Sequence, residues 1–291
     1  MIPKIIHVFW KGNHSEFVEA CIARMRSMHP SWTLHRYSNF DEAEYVNGFD
    51  KLQMQAKTDW LRMCLIAKYG GMWLDASIIC NGAIEESFDI KESRVVGFEC
   101  PIGEGIMESW AFGATPLHPM IIAWKNEFRR AIEASFEVYK QQSGLEEHPI
   151  YEHMPYLTIH AAYVKIINKF RDKFFMHHSR HPRHGPFLFT KREWETNTLF
   201  GRRGAVSKLF LRDISLPPLI KFTSETRGYA EQMLLYVHVR PNSFLRRTLN
   251  LCNDDFATKI TYVFVLGCII IIIITLVLFK SLRWKNAPLI Q

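Results

Sequence analysis

The chain has 291 residues, 48% of them apolar, which is enough to bury a full α/β core in one domain. Thirty-six lysines and arginines against 29 acids give a net charge of +7, compatible with a membrane surface, an anionic small molecule or nucleic acid. No nucleic-acid-binding motif or regular aromatic interleaving accompanies that charge, so nucleic acid is excluded as a partner. Cys21, Cys64, Cys80, Cys100, Cys252 and Cys268 form no CxxC pair and no disulfide framework.

In chain order, Ile2, Ile5, Ile6, Val8 and Phe9 make a strand-like run over 2–10 that ends at Trp10. A helix is expected around 15–28 and a strand over 32–37. A second helix over 58–69 takes Thr58 as its cap, with Leu61, Cys64, Leu65 and Lys68 recurring at helical spacing. Asp59 and Arg62 then share a face, three residues apart. Gly70 and Gly71 end that helix where the chain must turn left-handed without a Cβ clash. Residues 72–80 read as a strand buried on both faces, interrupted by Asp75, whose lone carboxylate needs a cation or solvent. A strand over 94–98 and longer helices over 119–141 and 152–169 follow. Alternating helices and strands of this kind imply a sheet with crossover helices. Neither a P-loop nor a Rossmann glycine pattern occurs.

On spacing alone, Asp59 and Arg62 are a helix ion pair and Asp75 marks a strand end. The wider pattern says more. Ile2 to Trp10 reads I-P-K-I-I-H-V-F-W, and Thr58 to Asp75 reads T-D-x-x-R-x-x-x-L-x-x-x-G-G-x-W-x-D. Both resemble the nucleotide-sugar-binding region of GT-A glycosyltransferases with a D-x-D-type motif, of the capsular polysaccharide synthesis type. Trp110 to Ala114 with His118-Pro119, Lys221-Phe222-Thr223, and His238 with Ser243-Phe244 resemble later segments of such enzymes.

The resemblance implies a GT-A-like nucleotide-sugar-binding sheet with flanking helices over 1–250. It implies that Asp59 holds a ribose or sugar hydroxyl, that Arg62 steadies the donor, and that Asp75 ligates Mn²⁺ or Mg²⁺ bridging a diphosphate. These three form the expected catalytic set. His7, Trp10, Lys221 and His238 join Asp59 and Arg62 as donor contacts, with Trp10 stacking on the base. The second metal position of a D-x-D motif falls on Ser77. Glu104, Glu108 and Glu152 are candidate acceptor-side carboxylates by position alone, and an ordinary surface role is the expectation for each. The basic run from His177 to His184 matches no zinc spacing and contains Pro182, so it reads as a solvated loop.

From Ile260 to Phe279 the chain carries no charged side chain, a length that crosses a hydrocarbon core of about 30 Å. Lys280, Arg283, Trp284 and Lys285 follow as interfacial anchors. The expected organisation is therefore a transferase domain over 1–250, a linker over 251–259, a transmembrane helix over 260–279 and a short basic tail over 280–291. Met1 leads straight into a core strand, so the expectation is a tail-anchored protein with its catalytic domain in the cytosol. The function expected is transfer of a hexose from a UDP- or GDP-sugar to a glycan or lipid-linked acceptor, metal-assisted and retaining. The rival is a catalytically degenerate membrane scaffold or sugar-binding subunit, motivated by Ser77.

Overall fold

The computed structural model describes residues 1–13, 15–92, 94–100, 102, 105–170, 174–177, 206–211, 216–236, 239–251 and 274. The described residues form a mixed α/β fold around a six-stranded sheet. The strands are β1 (Ile5–Phe9), β2 (Thr33–Tyr37), β3 (Gly71–Leu74), β5 (Val95–Glu99), β6 (Met107–Ala114) and β7 (Phe174–His177), in the order β2-β1-β3-β6-β5-β7. β1 runs parallel to both β2 and β3, whereas β6 is antiparallel to β3 and β5. A separate antiparallel pair joins β4 (Ile78–Cys80) to β8 (Leu219–Lys221).

Side-chain alternation along the central strands feeds two cores, one on each face of the sheet. Ile6, Val8, Met72 and Leu74 pack into one, with α1 (Glu16–Met28), the short α3 (Ile84–Ser87) and the β4–β8 pair. Trp73 and Phe112 pack into the other, with α2 (Met54–Tyr69), α4 (Pro119–Ala134) and α6 (Thr158–Ile167). The α1 helix starts at the cap that its sequence offers, because the Ser15 hydroxyl accepts from the Val18 amide.

Several expected boundaries move for identifiable reasons. Thr58 does not cap α2, which begins four residues earlier; its hydroxyl instead donates to the Met54 carbonyl at 2.9 Å within the helix. Leu61, Cys64 and Leu65 are buried as expected, but Lys68 is exposed and pairs with Glu42. The strand expected over 72–80 is two strands, because the chain turns at Asp75–Ser77 and leaves the main sheet to pair with β8. The helix expected over 119–141 breaks at Ser135, whose φ of 70° ends α4 and begins α5 (Phe136–Gln142). The helix expected over 152–169 is shorter, with the 3₁₀ turn Pro149–His153 ahead of α6.

The Gly70-Gly71 corner is required by geometry. Both residues have positive φ, and a Cβ on Gly71 would lie 2.5 Å from the Ile5 carbonyl oxygen. Among the described residues no helix is long and apolar enough to cross a membrane, and the span expected over 260–279 lies, but for Ile274, outside them.

Candidate donor cleft

Because β1 and β3 are parallel, Trp10 and Asp75 emerge at the same edge of the sheet, where open α/β sheets bind ligands. β6 enters that edge antiparallel, with Leu74 opposite Ala111, so Glu108, Ser109 and Trp110 sit beside Asp75. The Asp75 amide donates to the Trp110 carbonyl at 2.9 Å, which holds the turn in place. A cleft of about 1060 Å³ opens here, lined among others by Trp10, Asp59, Arg62, Asp75, Ser77 and Lys221. That volume is ample for a nucleotide-sized ligand.

Arg62 organises one wall. Its Nη2 lies 3.1 Å from Asp59 Oδ1 and 3.5 Å from Asp75 Oδ1. Its Nη1 donates to the Ser109 carbonyl at 2.5 Å and to the Ser109 hydroxyl at 2.9 Å. The guanidinium carbon stands 4.9 Å from the centre of the Trp73 ring. Asp59 and Arg62 are each only 6% exposed in their side chains, so this is a buried ion pair, and removing either partner strands the other.

Burial raises the Asp59 carboxyl above its ordinary range, although Arg62 opposes that shift. Asp75 moves the other way. Burial works to raise it, but Lys221 and Arg62 together outweigh burial and hold it below the usual carboxylate value. Lys221 Nζ lies 2.5 Å from Asp75 Oδ2, and Trp73 Nε1 donates to Asp75 Oδ1 at 2.9 Å. Register explains the lysine's position, because β8 pairs Lys221 opposite Ile78, three residues beyond Asp75.

Asp75 and Ser77 do not fit the divalent-cation site that the resemblance implies. Both oxygens of the Asp75 carboxylate already face N–H donors, two of them on cationic side chains. The Ser77 hydroxyl is buried and donates to the Phe222 carbonyl at 2.9 Å. A hard dication needs oxygen ligands free of competing positive charge, and this pair offers one neutralised carboxylate and one engaged hydroxyl.

Of the donor contacts expected from sequence, Trp10, Asp59, Arg62 and Lys221 line the cleft, and His7 does not. His7 is buried within the sheet. Its Nε2 donates to the Gly70 carbonyl at 2.9 Å, which leaves Nδ1 to accept from the Tyr37 hydroxyl at 3.0 Å. Burial pushes its pKa down to about 4, so it serves the Gly70 corner as a neutral ring. His238, Glu104 and the side chains of His177–His184 lie outside the described residues. Glu152 is exposed and is not among the cleft-lining residues, whereas Glu108 faces into the cleft.

Sequence patterns did not nominate three further residues. Arg227, on the helix Ser224–Tyr236, lies 4.9 Å from the centre of the Trp10 ring. Ser109 anchors Arg62. His160, on α6, shares the cleft with Glu108. No local spacing could have found them, since each comes from an element distant in sequence from Asp59–Asp75.

Comparison with known proteins agrees with the first part of this geometry. Residues 1–126 match the sequence model of the family described as capsular polysaccharide synthesis protein. The resemblance drawn from the N-terminal strand and the Asp59–Asp75 block is thereby borne out over the segment that builds the Arg62 wall. The Pyruvylated Gal-beta-1,3-epitope synthesis protein 2 of Schizosaccharomyces pombe is 25% identical over 149 residues, 43% of this chain and 38% of that protein. The O-glycosyltransferase braB of Annulohypoxylon truncatum is 25% identical over 183 residues, 53% of this chain and 42% of that protein. The chain thus spans about two fifths of the length of these curated relatives. Among solved structures, the PaToxG glycosyltransferase aligns at a TM-score of 0.37 with 11% identity, covering 79% of this chain and 84% of that one. A glycosyltransferase involved in glycosylation of the major capsid of PBCV-1 aligns at 0.37 with 12% identity, covering 79% and 98%.

Proposed function

We propose that this protein is a GT-A-like glycosyltransferase that takes a hexose from a nucleoside diphosphate sugar and passes it to a hydroxyl of a glycan or lipid-linked saccharide. The observation that carries the reading is the Asp59–Arg62–Asp75–Lys221 chain of charges at the end of two parallel strands, of which Asp59, Arg62 and Asp75 lie inside the segment that matches the family. Arg227 and Lys221 supply positive charge along one side of the cleft, and Trp10 presents a ring face to Arg227.

A diphosphate leaving group gathers negative charge as its bond to the sugar breaks, and fixed cations stabilise that charge. Lys221 and Arg227 take this task on the protein's side. Asp75 orients Lys221, and Asp59 holds Arg62 against the sugar-facing wall. The divalent cation implied by the resemblance is not carried forward, because its ligand set does not fit. Donor nucleotide, sugar and anomeric outcome follow from products: retention, the outcome common among D-x-D relatives, is read from the anomeric proton coupling of the transferred sugar.

We further propose that residues 260–279 anchor the protein in a membrane, on the strength of their unbroken apolarity and the basic residues that follow. Cys21, Cys64, Cys80 and Cys100 are free thiols, which supports a reducing, cytosolic side for the catalytic domain. Retention of the chain in the membrane pellet after alkaline extraction is the expected result.

The test of the transferase reading is nucleotide release from a panel of UDP- and GDP-hexoses by the full chain in detergent, with Lys221→Met and Asp75→Asn alongside. Turnover with one donor, lost in both variants, is the expected outcome. Equal release by wild type and both variants removes the reading. The scaffold alternative, favoured by Ser77 in place of a second acid, predicts nucleotide binding without release.

A further inference from the structure

We propose that Glu108 and His160 form the hydroxyl-recognition subsite for the acceptor, a deepening that rests on the donor-site reading above. Glu108 stands at the start of β6 and His160 on the first turn of α6, so two unrelated elements converge on one corner of the cleft. His160 Nε2 lies 3.5 Å from Glu108 Oε2. Among the described residues neither ring nitrogen of His160 finds a hydrogen-bond partner, although the residue is only 4% exposed. A buried ring with both nitrogens unpaired is costly and invites a ligand.

The chemistry of the pair selects that ligand. A carboxylate only accepts, and a neutral imidazole has one N–H to donate. A sugar hydroxyl both donates and accepts, so it satisfies the pair together, giving its proton to a hydrogen bond with Glu108 and receiving one from His160. Phosphate and carboxylate ligands are disfavoured because Glu108, and Asp59 beside His160, repel them. Arg62, bridging Asp59 and Asp75, stands between this corner and Lys221, which separates the acceptor hydroxyl from the leaving diphosphate.

Cys100 supports the carboxylate from behind. Burial, and after it the neighbouring Glu108 carboxylate, pushes the Cys100 thiol pKa up to about 12. Cys100, Glu108 and His160 each offer a ligand atom within 4.8 Å of the others, which is also a spacing a thiophilic ion could use.

The experiment is steady-state transfer by the full chain in detergent, using the best donor from the UDP- and GDP-hexose panel and methyl hexosides as acceptors. Glu108→Gln and His160→Leu are expected to raise the acceptor KM at least tenfold while the donor KM shifts less than twofold. His160→Gln, which keeps an N–H donor, is expected to recover part of that loss. Acceptor and donor KM worsening together in these variants, or an unchanged acceptor KM, overturns the proposal. So does wild type that turns over donor but responds to no methyl hexoside. Metal analysis of the purified protein closes the other route: one equivalent of zinc, lost in Cys100→Ser, makes the cluster a metal site instead. Failure of the donor reading itself is distinguishable, because wild type then neither binds nor releases UDP or GDP.

Discussion

The two sides of the cleft handle buried charge in opposite ways. On the Arg62 side, Asp59, Ser109 and Asp75 engage both terminal guanidinium nitrogens and leave only its Nε without a hydrogen-bond partner among the described residues, while Lys221 pairs with Asp75. On the His160 side, two buried ring nitrogens have no hydrogen-bond partner among the described residues and the neighbouring carboxylate stands 3.5 Å away. The first side is preorganised, with its electrostatics set before any ligand arrives. The second is incomplete, and a ligand that supplies its missing hydrogen bonds binds there at the smallest cost in rearrangement.

The largest expected effect breaks the ion-paired side. Arg62→Ala strands the buried Asp59 carboxylate, and the loss of unfolding free energy should be about 3–5 kcal/mol, measured by urea denaturation. A loss under 1 kcal/mol would show that the pair is not the wall's organiser.

His7 provides a reference for a buried polar residue whose hydrogen bonds are complete. Its folded pKa of about 4 lies below the ordinary value of 6.5, so the unfolded chain takes up its proton first as pH falls. Stability is therefore fully present above pH 6.5 and declines as pH falls toward about 4, by about 3 kcal/mol in all. Denaturation midpoints for wild type and His7→Gln across that window check it; the variant should lose this part of the acid dependence.

Lys221→Met sharpens the contrast in binding rather than folding. Losing one charge-assisted contact of about 1.5–3 kcal/mol should weaken UDP or GDP affinity roughly tenfold or more, read by calorimetry. Added Mn²⁺ should not restore it, and should change wild-type release less than about twofold, since Asp75 and Ser77 offer no free ligand pair. Strong Mn²⁺ activation would overturn the assignment of the diphosphate charge to side chains.

The smallest effect in stability is expected at the incomplete side. His160→Leu removes two unsatisfied polar atoms and keeps an apolar body, so unfolding free energy should change by no more than about 1 kcal/mol, with stabilisation the favoured sign. Set beside Arg62→Ala, that difference is the direct measure of how far the two sides diverge.

Much of the Arg62 wall was legible because its parts are local. Asp59 and Arg62 sit one helical turn apart, Gly70-Gly71 is the corner that a left-handed turn next to the Ile5 carbonyl demands, and Asp75 follows at the end of a short strand. Thr58 misled because a threonine inside a helix can bond backward to the Met54 carbonyl, and local pattern does not tell this from a cap. The single strand expected over 72–80 failed because its second half pairs with β8, more than a hundred residues on, and no periodicity encodes that partner.

The amino-acid sequence by itself determined the helix, corner and strand that carry Asp59, Arg62 and Asp75, because capping, glycine conformation and hydrophobic period act over a few residues. Tertiary structure alone decided what those groups meet. It brought Lys221 to Asp75 across 146 positions, set Ser109 under Arg62 across 47, turned His7 into the sheet and left His160 beside Glu108 with no hydrogen-bond partner among the described residues. The physical reason is that charge compensation depends on distance in space. A carboxylate's partner, and so whether it binds a metal, orients a lysine or waits for a hydroxyl, is fixed only when distant strands and helices pack.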